Sequence, residues 1–295
     1  MFTQLFGNYL LRKAIITPEE LLECMTEAGK SHAKLGTLCI HAGLMSSAEV
    51  EKVYILQTHR DERFGEIAIE EGYLTQEQLD NLMEQQPPSY ILLAQCLTEK
   101  GILNHDEVER LLADYQMETE LYDLEMIEDH KDRFKKMVTH FCNFSDLRNG
   151  EVGVCYLQLL FNNLIRFIGD DFTPMDLVPF QEYITHYGAK QSIKGSFQLQ
   201  SAIETNEQAA IAFASRYAGE NFEEYDEFVS ASLQDFLNLH NGLFVVNMSN
   251  SDAVELEIDA PEEIDNMLYA PDGYTYLLPL AFTFGTVNLL ITFEK

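Results

Sequence analysis

The chain has 295 residues, of which 46% are hydrophobic and 11% aromatic, enough length and apolar content for about two packed domains. It carries 19 Lys and Arg against 49 Asp and Glu, a formal net charge of −30. So acidic a surface repels phosphate backbones and anionic lipid; it sets aside nucleic-acid and membrane binding and favours a partner with a basic patch.

The first third of the sequence repeats with a period of 29 residues. Phe6-Gly7, Leu35-Gly36, Phe64-Gly65 and Leu93-Ala94 recur at that spacing, followed by Ala14, Gly43, Gly72 and Gly101, then by Leu21, Val50, Leu79 and Val108. Thr17, Ser46, Thr75 and Asn104 each precede an acid or amide by three residues (Glu20, Glu49, Gln78, Glu107), which is the pattern of a helix capping box. Each copy therefore reads as a short helix, a left-handed stop and a capped helix, with Pro18 at the first helical position of the first copy. Ala14 stands where the other copies have glycine, so strain or a different ending is expected there. One copy cannot bury its own apolar face, so the four are expected to pack as one all-α domain over residues 1–117.

These repeats resemble the N-terminal domain of type II secretion and pilus ATPases, a family that includes cyclic di-GMP binders. "KLGTLCIHAGLMSSAEVEKVYILQ" and "RFGEIAIEEGYLTQEQLDNLMEQQ" carry the resemblance. It implies nucleotide contacts at Lys34, Gly36, Gly43, Gln57, Arg63, Gly65, Gly72 and Gln86, with cyclic di-GMP as a candidate ligand. Glycine and leucine at such places also serve packing alone, and that plainer reading stands first.

Residues 118–150 carry a dense mixed-charge run in which Leu124, Ile127, Phe134 and Val138 keep a helical period, so a connecting helix is expected. The pattern changes again from residue 151. "CYLQLLFNNLIRFIG" is a helix ended by Gly169, "SIKGSFQLQSAI" alternates as a strand, and "NEQAAIAFASRYAGE" is helical. "YDEFVSASLQDFLNLHNGLFVVNM" makes one long helix, "AVELEID" alternates, and "YTYLLPLAFTFGTVNLLITFE" gives two strands around Phe284-Gly285-Thr286. Residues 151–295 are thus an α+β domain with helices on one face of a mainly antiparallel sheet, which makes the whole chain α+β.

Within the long helix, Asp235, Asn238 and Gly242 stand at i, i+3 and i+7 and share one face. The C-terminal domain resembles the CheC/CheX family of chemotaxis phosphatases through "IKGSFQLQ", "SASLQDFLNLHNG" and "LLPLAFTFGTVNLLITFE". The family's Glu-x-x-Asn, with glycine four residues later, stands here as Asp235, Asn238 and Gly242. The resemblance implies a cytoplasmic homodimer acting on a phosphorylated CheY-like receiver, the partner of a response-regulator system. Asn238 would orient the attacking water, Asp235 would pair with a receiver lysine, and Gly242 would admit the docked backbone. Mg²⁺ would belong to the receiver, so the chain has no cofactor of its own. Asp for Glu shortens the arm by one methylene, which keeps a second reading open: a non-catalytic adaptor that binds receivers or dimerises, with a cyclic di-GMP-responsive scaffold as one form of it. No second Glu-x-x-Asn stands at Asn162 or Asn163, which have Leu159 and Leu160 three residues earlier.

Five cysteines without metal-ligand spacing read as buried thiols of a reducing compartment, and the eight histidines form no ligand cluster. No basic leader precedes the apolar start, and no run approaches the ~18 apolar residues of a membrane span, so a cytoplasmic location is expected.

Overall fold

The computed structural model of the chain describes residues 5–30, 32–60, 62–84, 89–124, 150–252 and 254–294. It divides into two units, Phe2–Leu121 and Tyr122–Lys295.

Each repeat of the N-terminal unit is a pair of helices. They are α1 (Phe6–Arg12) with α2 (Pro18–Ala28), α3 (Leu35–His41) with α4 (Ser47–Gln57), α5 (Phe64–Glu70) with α6 (Gln76–Glu84), and α7 (Ser89–Glu99) with α8 (His105–Leu124). All four capping boxes form. Thr17, Ser46, Thr75 and Asn104 each accept from the backbone N–H three residues on. Glu20, Glu49, Gln78 and Glu107 reach back to the cap N–H at 2.8 Å in every copy. Two orphan donors are satisfied at each start, so every second helix begins where its own sequence dictates. Cys39, Val50, Val53, Phe64, Ile67 and Leu74 then bury the shared apolar face.

The turn inside each pair passes through a left-handed residue, with φ +65° at Gly43, +77° at Gly72 and +69° at Gly101. Ala14 takes the same turn at φ +54°. The first repeat therefore ends like the others and bears the strain of a Cβ in that conformation. Ala14→Gly is expected to stabilise the N-terminal unit by about 0.5–1 kcal/mol, the relieved strain less the entropy glycine adds to the unfolded chain. A denaturation midpoint that stays put or falls would contradict this.

Helix α8 runs on to Leu124, so the expected boundary at 117 lies inside a helix. Most of the connecting helix expected over 118–150 lies outside the described residues, as does Cys142.

The C-terminal unit begins with α9 (Gly150–Phe167). Short strands β1 (Phe172–Pro174), β2 (Val178–Phe180) and β3 (Tyr183–Ile184) lead into the long β4 (Tyr187–Gly195) and β5 (Leu199–Thr205). Helices α10 (Glu207–Ala218) and α11 (Glu227–Asp252) follow, then β6 (Leu256–Ile258), β7 (Glu262–Asp265), β8 (Leu268–Tyr269), β9 (Tyr274–Phe282) and β10 (Gly285–Phe293). The main sheet runs β1-β9-β10-β5-β4-β6, with β2 also on β9 and β7 also on β4; β3 and β8 form a separate pair. Every described pairing is antiparallel.

The alternating stretch at 192–203 is a hairpin rather than one strand. Gly195 has φ +133°, and a Cβ there would lie 2.2 Å from the Glu255 carbonyl, so the chain turns at a place only glycine fills. The strands of 172–184 and the start of β4 escape a pattern reading because they are short or carry polar residues facing inward. On one face of the sheet, Ala189, Gln191, Ile193, Leu199, Ser201 and Ile203 lie beneath the helices. On the other, Ala202, Ile264, Tyr269 and Leu290 form a smaller core with Phe180, Tyr183 and Leu277 packed on it.

Candidate functional site

Helix α11 is capped by Asp226, whose Oδ1 accepts from the N–H groups of Phe228 and Val229 at 3.0 Å each. Its inner face is Val229, Leu233, Phe236, Leu237, His240, Phe244 and Met248, all buried. With those positions fixed on the sheet, the 3.6-residue period leaves Asp235 and Asn238 exposed on the outer face and Gly242 half-buried beside them. The three expected residues are thus on one accessible stripe, and the buried Phe236 and Leu237 between the first two set its orientation.

Each polar member is held by a side chain from another element. Asp235 Oδ2 accepts from the Tyr217 hydroxyl of α10 at 2.7 Å. The Tyr217 ring stands edge-on to Phe236, centroids 5.7 Å apart. Desolvation, then the hydrogen bond and negative charge of Asp235, push the Tyr217 phenol well above its ordinary range, so it remains a donor. Asp235 Oδ1 has no such partner among the described residues. Asn238 Oδ1 accepts from Gln191 Nε2 of β4 at 2.8 Å. Gln191 is only 2% exposed; it also donates to the Asp259 carbonyl and accepts from Asn241 Nδ2, each at 2.8 Å. Asn241 is fully buried and receives the Tyr156 hydroxyl at 2.8 Å and that of Ser201 at 3.4 Å.

Gly242 has ordinary helical φ, and a Cβ there would meet only Ile258 Cδ1 at 3.8 Å. Packing within the unit does not require a glycine at this point. A mid-helix glycine costs about 1 kcal/mol relative to alanine, a cost that packing within the unit does not offset here.

Below the stripe lies His240, buried, its ring edge-on to Tyr156 with centroids 4.5 Å apart. Its Nδ1 faces Asn163 Nδ2 at 3.1 Å, and its Nε2 has no partner among the described residues. Burial lowers its pKa to about 3, because the imidazolium charge would have to be taken out of water into an apolar interior.

In the N-terminal unit, Lys34 Nζ is 2.8 Å from Glu99 Oε1, and that hydrogen bond leads the causes that raise its pKa. A Cβ on Gly36 would lie 2.7 Å from the Tyr54 hydroxyl and 2.8 Å from Val50, and one on Gly65 would lie 3.0 Å from Leu79. These two glycines admit the neighbouring helices, while Gly43 and Gly72 supply turns. Gln57 Nε2 donates to the Glu62 carbonyl at 3.2 Å. Arg63 is exposed with its backbone N–H on Glu66, and Gln86 lies outside the described residues.

The sequence reading did not single out Gln191, Asn241, Tyr156 or Tyr217. The available signal was polarity in the wrong place: Gln191 between Ala189 and Ile193 on a strand, and Asn241 on the apolar stripe of α11. Among the described residues no three His, Cys, Asp or Glu side chains gather as a metal site, and no helix is long and apolar enough to cross a membrane. Cys24, Cys39 and Cys96 are buried free thiols.

No family model matches the chain, and no curated protein matches it in sequence. In structure, its C-terminal half matches CheC-, CheX- and FliY-like domains. A CheC-like superfamily protein of Shewanella sp. PV-4 is 19% identical, over 49% of this chain and 97% of that one, with a TM-score of 0.44. A CheX from Borrelia burgdorferi, solved in complex with CheY, BeF₃ and Mg²⁺, is 16% identical over 48% of this chain and 96% of that one, with a TM-score of 0.42. FliY of Thermotoga maritima is 13% identical over 57% of this chain and 92% of that one, with a TM-score of 0.36.

Proposed function

We propose that the C-terminal unit dephosphorylates the aspartyl phosphate of a CheY-like receiver domain, using the exposed stripe of α11. The observation that carries this is the pairing of Asp235 with Asn238 on an accessible, rigidly seated helix face, each held from behind, with Gly242 offering room one turn on. An aspartyl phosphate needs little covalent help. It needs a water in line with the phosphorus and stabilised charge on the equatorial oxygens. A carboxamide suits that task because it donates and accepts without adding negative charge near a phosphoryl group.

Asn238 places the water. The water oxygen bonds to phosphorus, the bond from phosphorus to the receiver's aspartyl oxygen breaks, and inorganic phosphate leaves with the proton. The free Oδ1 of Asp235 meets a receiver lysine and sets the register. Mg²⁺, the counter-charge for the phosphoryl oxygens, sits on the receiver. Gly242→Ala is expected to stabilise the C-terminal unit by about 0.5–1 kcal/mol while raising the receiver concentration needed for half-saturation, since it fills the gap where the partner approaches. Stabilisation with unchanged saturation would remove Gly242 from the docking surface.

One observation favours a second reading. Asp235 is a methylene shorter than glutamate and half engaged by Tyr217, which suits an adaptor that grips receivers without hydrolysing them. The deciding measurement is phosphate loss from ³²P-labelled CheY-type receivers with Mg²⁺, with and without the full chain. Acceleration supports the phosphatase, binding without acceleration supports the adaptor, and neither with any receiver tested refutes both.

A further inference from the structure

Asn238 is exposed, yet its orientation is decided inside the protein. Gln191 Nε2 makes two donations at 2.8 Å, one to Asn238 Oδ1 and one to the Asp259 backbone carbonyl. A backbone carbonyl only accepts, so the Gln191 carboxamide has a single sense, and both of its N–H groups are spent. Gln191 Oε1 then faces inward, where Asn241 Nδ2 donates to it at 2.8 Å. Asn241 in turn shows its oxygen to the Tyr156 hydroxyl at 2.8 Å. Burial holds that phenol far above its ordinary pKa, so the hydroxyl keeps its proton. The acceptor-only carbonyl at one end sets the direction of every amide in turn, and the phenol at the other end supplies the donor that the last amide oxygen then requires.

We infer that Gln191 is the positioning residue for Asn238, an inference that rests on the phosphatase reading of α11. Gln191 fixes Asn238 with Oδ1 turned to the sheet and the NH₂ group turned to the docking face. The outward donors meet the negative phosphoryl oxygens of the receiver, and the second lone pair of Oδ1 is left for a proton of the attacking water. Gln191 itself touches none of the reacting atoms. Without it, Asn238 rotates freely about its side-chain bonds, and half of its carboxamide orientations present an acceptor to an anion.

The test uses the full chain and a phosphorylated CheY-type receiver, with wild type, Asn238→Ala, Gln191→Met and Gln191→Glu. Three quantities are read: the maximal rate, the half-saturating concentration, and the side-chain NH₂ resonances of Asn238 in the labelled chain alone. Gln191→Met keeps the bulk without the donors and is expected to lower the maximal rate about 10- to 100-fold with half-saturation nearly unchanged. Gln191→Glu has no N–H to give, so it draws the Asn238 NH₂ inward; it is expected to lose at least as much and to move those resonances. A merely structural role would shift folding stability and half-saturation without this separation. Should Gln191→Met not fold, Tyr156→Phe, which removes one hydroxyl from the far end of the chain of amides, is expected to lower the same maximal rate severalfold.

Wild-type maximal rates in the Gln191 variants, with Asn238→Ala inactive, would overturn the inference. If wild type accelerates no receiver, it is the phosphatase reading that fails, and the resonances decide the rest. Unchanged Asn238 signals in Gln191→Met overturn the positioning, and shifted ones retain it.

Discussion

Asn238→Ala is expected to abolish receiver dephosphorylation, with a loss in maximal rate of about a hundredfold or more and unchanged receiver affinity. The split follows from where the side chain sits. Asn238 is exposed on the outer face of α11, so truncating it opens no internal cavity, and water entering from solvent takes the place of its Oδ1 against the buried Gln191 N–H. Docking area is contributed by the rest of the stripe and survives. What goes is the group that aligns the water, and such an interaction exists only as the reaction proceeds, so it shows in the rate and not in binding. Phosphate release from a ³²P-labelled receiver, beside a titration of receiver binding, checks both halves. An alanine variant that keeps the wild-type rate would mean that Asn238 is only part of a solvated helix face.

A second large effect is expected on stability as the pH is lowered. His240 is buried with a pKa of about 3, against an ordinary value near 6.5. Its folded pKa lies below its unfolded one, so the folded protein binds the proton less readily than the unfolded chain. The stability that neutral His240 confers is complete above pH 6.5 and is lost as the pH falls from 6.5 towards 3. One such group contributes about 1.4 kcal/mol per pH unit in that window, or roughly 2 kcal/mol between pH 6.5 and 5, above the range where ordinary carboxylates titrate. His41, also lowered by burial, belongs to the N-terminal unit and adds its own slope there. Urea unfolding of wild type and His240→Gln, followed at probes in the C-terminal unit from pH 7.5 to 5, isolates the His240 contribution as a difference in slope. Parallel profiles for the two proteins would show that His240 is charged or solvated in the folded state.

The helical N-terminal unit was legible in the sequence almost residue by residue, because its signals are local. A capping box closes within four residues, and a left-handed stop needs one glycine, so Thr17, Ser46, Thr75 and Asn104 announced their helices without reference to anything distant. Ala14 shows the limit: the repeat supplied the conformation, and the residue accommodated it. In the C-terminal unit the long helix and the final hairpin were readable from periodicity. The turn at Gly195 was not, because its cause is the Glu255 carbonyl, sixty residues away in the chain. The exposed stripe was found from spacing alone. Its supports were hidden, since a glutamine on β4 meets an asparagine on α11 only once the helix lies on the sheet.

The Asp259 carbonyl that pins Gln191 belongs to the residue just past β6, a three-residue strand at the rim of the sheet. The outward amide is therefore anchored to the least extensive pairing in its neighbourhood. When this edge opens past Asp259, whose own N–H is held by the Ser192 carbonyl, Gln191 loses its reference carbonyl and only the buried Asn241 still holds its direction. An opening confined to the sheet's edge would thus loosen the alignment of the site without unfolding the unit that carries it.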